Sequence, residues 1–119
     1  MNKKGEYVLG GMLGRHTSTS ALHDAASRGD TASIKQLIAE GADVDVEGMM
    51  GQTAAYDAAA NSMSNTIRVL GEANADLNKP GKNGLTPLHK AAENGHTRAI
   101  IALKDCGADI HKRNINGDT

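Results

Sequence analysis

The apolar positions near the C-terminal end of the chain predict a short helix with a strong start signal. Leu88, Ala91 and Ala92 fall at positions i, i+3 and i+4, and they therefore form one apolar face. Thr86 is a favourable N-cap residue, and Pro87 occupies the first helical position, where its missing N–H leaves no partner unsatisfied. The pattern predicts a helix that begins at Pro87.

A second helix is predicted directly after the first. The Asn-Gly pair at residues 94–95 ends the first helix, because both residue types tolerate a positive φ. Ala99, Ile100 and Leu103 form the next apolar series, and Gly107 ends it. This stretch is therefore predicted to be a helix, a tight turn, a second helix and a loop that starts with glycine.

The same pattern recurs along the chain at a fixed interval. Thr86, Thr53 and Ser20 are each 33 residues apart. The other positions that recur at this interval are Ala25, Ala58 and Ala91; Ile34, Ile67 and Ile100; Leu37, Leu70 and Leu103; and Asp43, Asp76 and Asp109. A period of this length, with two short helices per unit, indicates a repeat architecture.

The recurring words identify the kind of repeat. They are TPLHKAAENGH at 86–96, SALHDAASRGD at 20–30 and TAAYDAAANSM at 53–63, followed by GADIH, GADVD and NADLN. On these residues the chain resembles the ankyrin-repeat family, from roughly Thr17 to Thr119. The resemblance implies an all-α solenoid of stacked helix-turn-helix units with projecting β-hairpin loops. It also implies a non-catalytic protein-binding scaffold that needs no cofactor.

The register of the repeat gives the predicted organisation of the chain. Residues 1–16 fall outside it and are expected to be a flexible arm or a cap on the first repeat. The ankyrin-repeat domain is predicted at 17–119, with repeats at about 17–46, 47–79 and 80–112 and a partial fourth at 113–119. The partial repeat is expected to be either a small cap or, as the favoured interpretation, a sign that this is a fragment of a longer array.

The second repeat departs most from the pattern. Tyr56 occupies the position of the repeated histidine, and Ser62 replaces the glycine of the turn between the helices. Gly71 falls near the end of the second helix, where glycine costs about 0.5–1 kcal/mol relative to alanine. Asn74 replaces the loop glycine and can keep the left-handed conformation. We therefore expect this repeat to be the least stable one, or to carry residues selected by partner contact.

Composition limits the kinds of partner. The chain has no Phe or Trp, which suits thin repeats whose narrow gaps are filled by Ala and Leu. A net charge of −1 provides no basic surface for nucleic acid and no polybasic patch for a membrane. The single cysteine, Cys106, cannot form an internal disulfide and favours a reducing compartment. We expect an intracellular, cytoplasmic monomer that binds another protein.

Two histidines raise the possibility of chemistry. His23 and His89 share the fourth position of the TPLH-like word, two repeats apart. The family resemblance implies that each one bonds the backbone or the capping threonine and ties neighbouring loops together. The alternative is a small metal-dependent enzyme that uses the histidines. It needs clustered ligands, and the 33-residue spacing keeps these residues apart.

The resemblance also implies a binding surface made of loop tips and first helices. The candidate residues are Met49, Met50, Gln52, Lys82, Asn83 and Leu85 at the tips, and Arg28, Asn61, Glu93 and Asn94 on the first helices. We predict a hot spot of Met49, Met50 and Leu85, because methionine adapts well to binding partners. In the alternative, both methionines fold back over repeat two and fill the space beside its small residues Ala54 and Ala55.

Overall fold

The computed structural model describes residues 20–110 of the chain. This part forms three consecutive helix pairs and contains no strand. The helices are α1 at 20–28, α2 at Thr31–Ala39, α3 at Ala54–Ala60, α4 at Ser64–Glu72, α5 at Pro87–Glu93 and α6 at Thr97–Asp105. The all-α fold predicted from the 33-residue period is confirmed.

The first helices of the second and third pairs begin at side-chain caps. The Thr53 hydroxyl accepts a hydrogen bond from the Tyr56 N–H at 3.3 Å, and the Thr86 hydroxyl accepts one from the His89 N–H at 3.2 Å. Each bond satisfies one of the free N–H groups at a helix start. The N-cap that the sequence predicts at Thr86 is confirmed.

Left-handed residues separate the helices. Ser62, in the turn between α3 and α4, has a φ of 59°, and Asn74, after α4, has a φ of 65°. The first and third units use glycine at the corresponding positions. The prediction that Asn74 keeps the left-handed conformation is confirmed, and the second unit retains both turns without glycine.

The helix pairs stack side by side around an apolar core. First helices pack on first helices, as α3 does on α5, and second helices pack on second helices, as α2 does on α4 and α4 on α6. The largest fully buried apolar side chains are Leu22, Ile34, Ile67, Leu70 and Leu103, with alanines between them. Each unit therefore contacts its neighbours, and the loops between units are brought into a row.

The two loops between the units project as tight turns. The Gly48 N–H donates to the Gln52 carbonyl at 2.8 Å, and the Gly81 N–H donates to the Leu85 carbonyl at 3.0 Å. The capping threonine follows directly after each closing residue, so no residues remain to extend a strand ladder. Each predicted hairpin loop is thus closed by this cross-loop bond and by a second one across the same turn, from the Gly51 N–H to the Gly48 carbonyl and from the Gly84 N–H to the Gly81 carbonyl, both at 3.0 Å.

Two predicted segments lie outside the described residues: the N-terminal arm or cap at 1–16 and the partial fourth repeat at 113–119. Between residues 20 and 110, no helix is both long and apolar enough to cross a membrane.

Candidate interaction surface

The tip of the loop before α3 presents two exposed methionines. Met49 is 91% exposed and Met50 is 64% exposed. Ala54 and Ala55 are fully buried within the stack of helices. The alternative in which the methionines fold back over the second repeat is therefore wrong, and both side chains face solvent.

The backbone beneath these side chains is held at several points. The Met50 N–H donates to the Gln52 side-chain oxygen at 2.9 Å, and the Met50 carbonyl accepts from the Lys82 N–H at 2.9 Å. The second bond joins the tips of two neighbouring loops. Because the tip is already ordered, a partner does not have to supply the free energy of ordering its backbone.

The structure gives loop-stabilising hydrogen bonds to Gln52 and Asn83, and partner contact by these two residues stays a prediction. Gln52 closes its own loop through the bond to Met50. The Asn83 side-chain oxygen accepts from the Leu85 N–H at 3.0 Å, while its amide group donates to the Tyr56 hydroxyl at 2.8 Å. Leu85 itself is half-buried in the same loop. The structure brings Met50 next to Lys82 and leaves Lys82 exposed.

The charged candidates on the first helices form exposed ion pairs. Arg28 lies 3.0 Å from Asp24 and 3.9 Å from Asp30, and Glu93 lies 3.0 Å from Lys90. Exposed pairs of this kind contribute little to stability, about 0–1 kcal/mol. These side chains can therefore exchange their present partners for those of a binding protein.

The two asparagines on the first helices have internal partners. The Asn61 amide donates to the Asp57 carbonyl at 2.9 Å within its own helix. The Asn94 amide donates across the junction to the Ala60 carbonyl at 3.1 Å. Asn94 thus links the second and third units, a role that the repeat pattern alone does not reveal.

His23 connects the first unit to the second through both ring nitrogens. Its Nδ1 lies 2.6 Å from the Asp57 carboxylate, and its Nε2 lies 2.9 Å from the Val46 carbonyl. Both partners act as acceptors and a neutral imidazole has only one N–H, so the two hydrogen bonds form together only when the ring is the imidazolium. The hydrogen bond to Asp57 raises the pKa of His23 above its ordinary value of 6.5, against the opposing effect of burial.

Sequence reasoning identified the linking role of His23 but not its acidic partner. Asp57 aligns with Asp24 at the 33-residue interval, and recurrence of this kind indicates a structural role such as a cap or a loop hydrogen bond. The sequence does contain a signal for this pair. Tyr56 occupies in the second repeat the position that His23 occupies in the first, and Asp57 directly follows Tyr56. When the units stack, the residue after the aligned position lies next to the histidine of the preceding unit, so its carboxylate can bond that histidine.

His89 occupies the same repeat position but bonds within its own unit, to Thr86. Its Nδ1 accepts from the Thr86 N–H at 3.2 Å, which places the ring proton on Nε2. The Nε2 atom is buried and has no hydrogen-bond partner among residues 20–110. Within that range, no three His, Cys, Asp or Glu side chains are grouped so that they could hold a metal ion.

Comparison with known proteins agrees with this arrangement. A family model described as "Ankyrin repeats (3 copies)" matches residues 17–114, a range that contains all three helix pairs. No curated protein matches the chain at a significant level.

Proposed function

The chain belongs to the ankyrin-repeat family, and we propose that it is a non-catalytic module that binds another protein through its concave face and loop tips. Ankyrin repeats are generally protein–protein interaction modules. The observation that supports this assignment most directly is the pair of exposed methionines, Met49 and Met50, on an ordered loop.

The position of the methionines favours a central contact. Buried apolar anchors contribute most of the binding free energy at many interfaces, and polar residues surround them. Lys82 is exposed beside Met50, while Leu85 lies half-buried in the neighbouring loop. Arg28 and Glu93 on the first helices supply further charged groups. We expect a partner that places an apolar side chain against the methionines and polar groups around it.

A pull-down from a cell extract tests this proposal with the Met49→Ser/Met50→Ser variant beside the wild-type chain. The wild type should retain a partner that the double variant loses. Ile101→Ser is the matched control, because Ile101 is also an exposed apolar residue, at 48%, but lies on α6. The control should retain the partner, and neither variant should lower the Tm by more than a few degrees.

Two outcomes would contradict the proposal. If the double variant still retained the partner, the binding surface would have to consist of other residues. A large fall in the Tm of the double variant would assign the methionines a structural role. If no form of the chain retains a protein, a different function gains support, in which the array belongs to a larger protein and is a scaffold or spacer for another of its domains.

A further inference from the structure

The three methionines in the described part of the chain differ in accessibility. Met49 and Met50 are exposed, whereas Met63 is half-buried and packs against the apolar core. A Cβ added to Gly29 would lie 2.7 Å from the Met63 sulfur, so the first unit closely covers this thioether. Oxidants in solution therefore reach the sulfurs of the tip methionines more easily than that of Met63.

We propose that Met49 and Met50 form a reversible oxidation site, at which peroxide converts both thioethers to sulfoxides and weakens partner binding. The binding consequence rests on the function proposed above. In each reaction a sulfur lone pair attacks one peroxide oxygen and the O–O bond breaks. The sulfur is oxidised by two electrons, and the other oxygen leaves as water after proton transfer. A methionine sulfoxide reductase reverses the step: a dithiol becomes a disulfide, and the sulfoxide oxygen leaves as water.

The fold of the tip should tolerate this modification. The hydrogen bonds of Met50 use its backbone N–H and carbonyl, so they do not depend on the thioether. A sulfoxide is polar and accepts hydrogen bonds, and burying it in an apolar contact carries a desolvation penalty. Oxidation is therefore expected to change the affinity of the tip and to leave the stack of helices intact.

Peptide mass spectrometry during treatment of the folded chain with dilute hydrogen peroxide tests the site. Met49 and Met50 should oxidise at close to the rate of free methionine and several-fold faster than Met63. In concentrated urea the three rates should become similar. Equal rates for Met49, Met50 and Met63 in the folded chain would overturn the proposal, as would failure of a methionine sulfoxide reductase to restore both residues.

Retention on a phenyl matrix reports the polarity of the tip without a partner. The oxidised wild-type chain should elute earlier than the reduced chain, at an unchanged Tm. The Met49→Ser/Met50→Ser variant should show a much smaller shift after the same treatment. A shift as large as that of the wild type would place the change in polarity at another residue and overturn the proposal.

A Met49→Leu/Met50→Leu variant separates regulation from binding. Leucine keeps the tip apolar and cannot form a sulfoxide, so this variant should retain the partner after peroxide treatment while the wild type loses it. Loss of the partner by both would overturn regulation at this site. Failure of the reduced wild type to bind any partner would overturn the proposed function, and with it the effect of oxidation on binding. The oxidation site is tested separately, by the oxidation rates of Met49, Met50 and Met63.

Discussion

The contact of His23 between the first and second repeats is charged, whereas the contact of the aligned Tyr56 between the second and third repeats is neutral. The second junction carries its ion pair on the second helices instead, where Arg68 lies 3.1 Å from Asp105. At the first junction, His23 bonds the Asp57 carboxylate at 2.6 Å and the Val46 carbonyl at 2.9 Å. At the second, Tyr56 aligns with His23 and accepts a hydrogen bond from Asn83 at 2.8 Å. One backbone arrangement therefore accommodates two side-chain solutions, of which only the first depends on a proton.

The contacts between the loops that follow the second helices are, by contrast, of the same kind at both junctions. The Asp76 N–H donates to the Asp45 side chain at 2.8 Å, and the Asp109 N–H donates to the Asn78 side chain at 2.7 Å. Asp and Asn both supply an oxygen, so the backbone donor is satisfied in either case. The repeat thus keeps the acceptor while the first-helix contacts vary.

Removing His23 should cause a larger loss of stability than Asp57→Asn at the same junction or Gly71→Ala at the second junction. His23→Ala removes both hydrogen bonds and leaves the Asp57 carboxylate, 16% exposed, without its cationic partner. Hydrogen bonds to charged groups contribute roughly 1.5–3 kcal/mol, so we expect a loss of that order at the first junction. Hydrogen exchange on the full chain should show lost protection in α1 and α2 and retained protection in α5 and α6.

Asp24→Asn provides the control for this experiment, because Asp24 lies one residue further along α1 and its side chain is 66% exposed. It should leave the exchange pattern unchanged. Equal loss of protection in all three repeats after His23→Ala would argue against a local junction. Unchanged protection in α1 would argue against any stabilising contribution from His23.

The free energy of unfolding should also depend on pH, because part of the stabilisation by His23 requires its ring to be protonated. Since the pKa of His23 is raised in the folded chain, its contribution is fully present below about 6.5, the unfolded value. It is lost as the pH rises through the folded pKa, and stability should then level off. Chemical denaturation between pH 6 and 9 should therefore show a decline that follows the titration of His23 in NMR spectra.

Asp57→Asn tests the cause of this decline. The substitution removes the carboxylate, so the NMR titration of His23 should move to lower pH and the decline should shrink. Other shifted groups do not interfere, because the pKa of Asp30 and Glu47 is lowered and that of Lys79 and Lys90 is raised, away from this range. A decline of the same size in Asp57→Asn would assign it to a different group.

The sequence predicted the elements that depend on local chemistry and on the repeat period. The cap at Thr86, the left-handed Asn74 and the stacked helix pairs follow from residue type and register. Contacts between units could not be predicted in this way where the two interacting residues occupy different positions of the repeat. The Asn83 amide reaches the Tyr56 hydroxyl of the preceding unit only once the stack has formed. The Gln52 side chain bonds Met50 within its own loop, a contact that depends on the folded turn and not on the repeat register.

Gly71 was expected to weaken the second repeat, but the structure gives it a place in the second junction. A Cβ on residue 71 would lie 3.0 Å from both Cβ and Sγ of Cys106 on the next repeat. Glycine therefore provides the space that Cys106 occupies, and this packing offsets its low helix propensity.

The substitution Gly71→Ala should consequently have a smaller effect than His23→Ala or Asp57→Asn, with a sign opposite to that expected for an isolated helix. Helix propensity alone predicts a gain of about 0.5–1 kcal/mol. The close contact forces Cys106 to move, and overpacking of this kind costs about 1–3 kcal/mol. We expect a small net loss in the free energy of unfolding, measured by urea denaturation.

The loss should diminish in a Cys106→Ala background, because the sulfur contact is then absent while the Cβ contact remains. A gain in stability from Gly71→Ala alone would mean that Cys106 moves aside at little cost, and that the Arg68–Asp105 ion pair and the loop hydrogen bonds, rather than this close contact, hold the second junction.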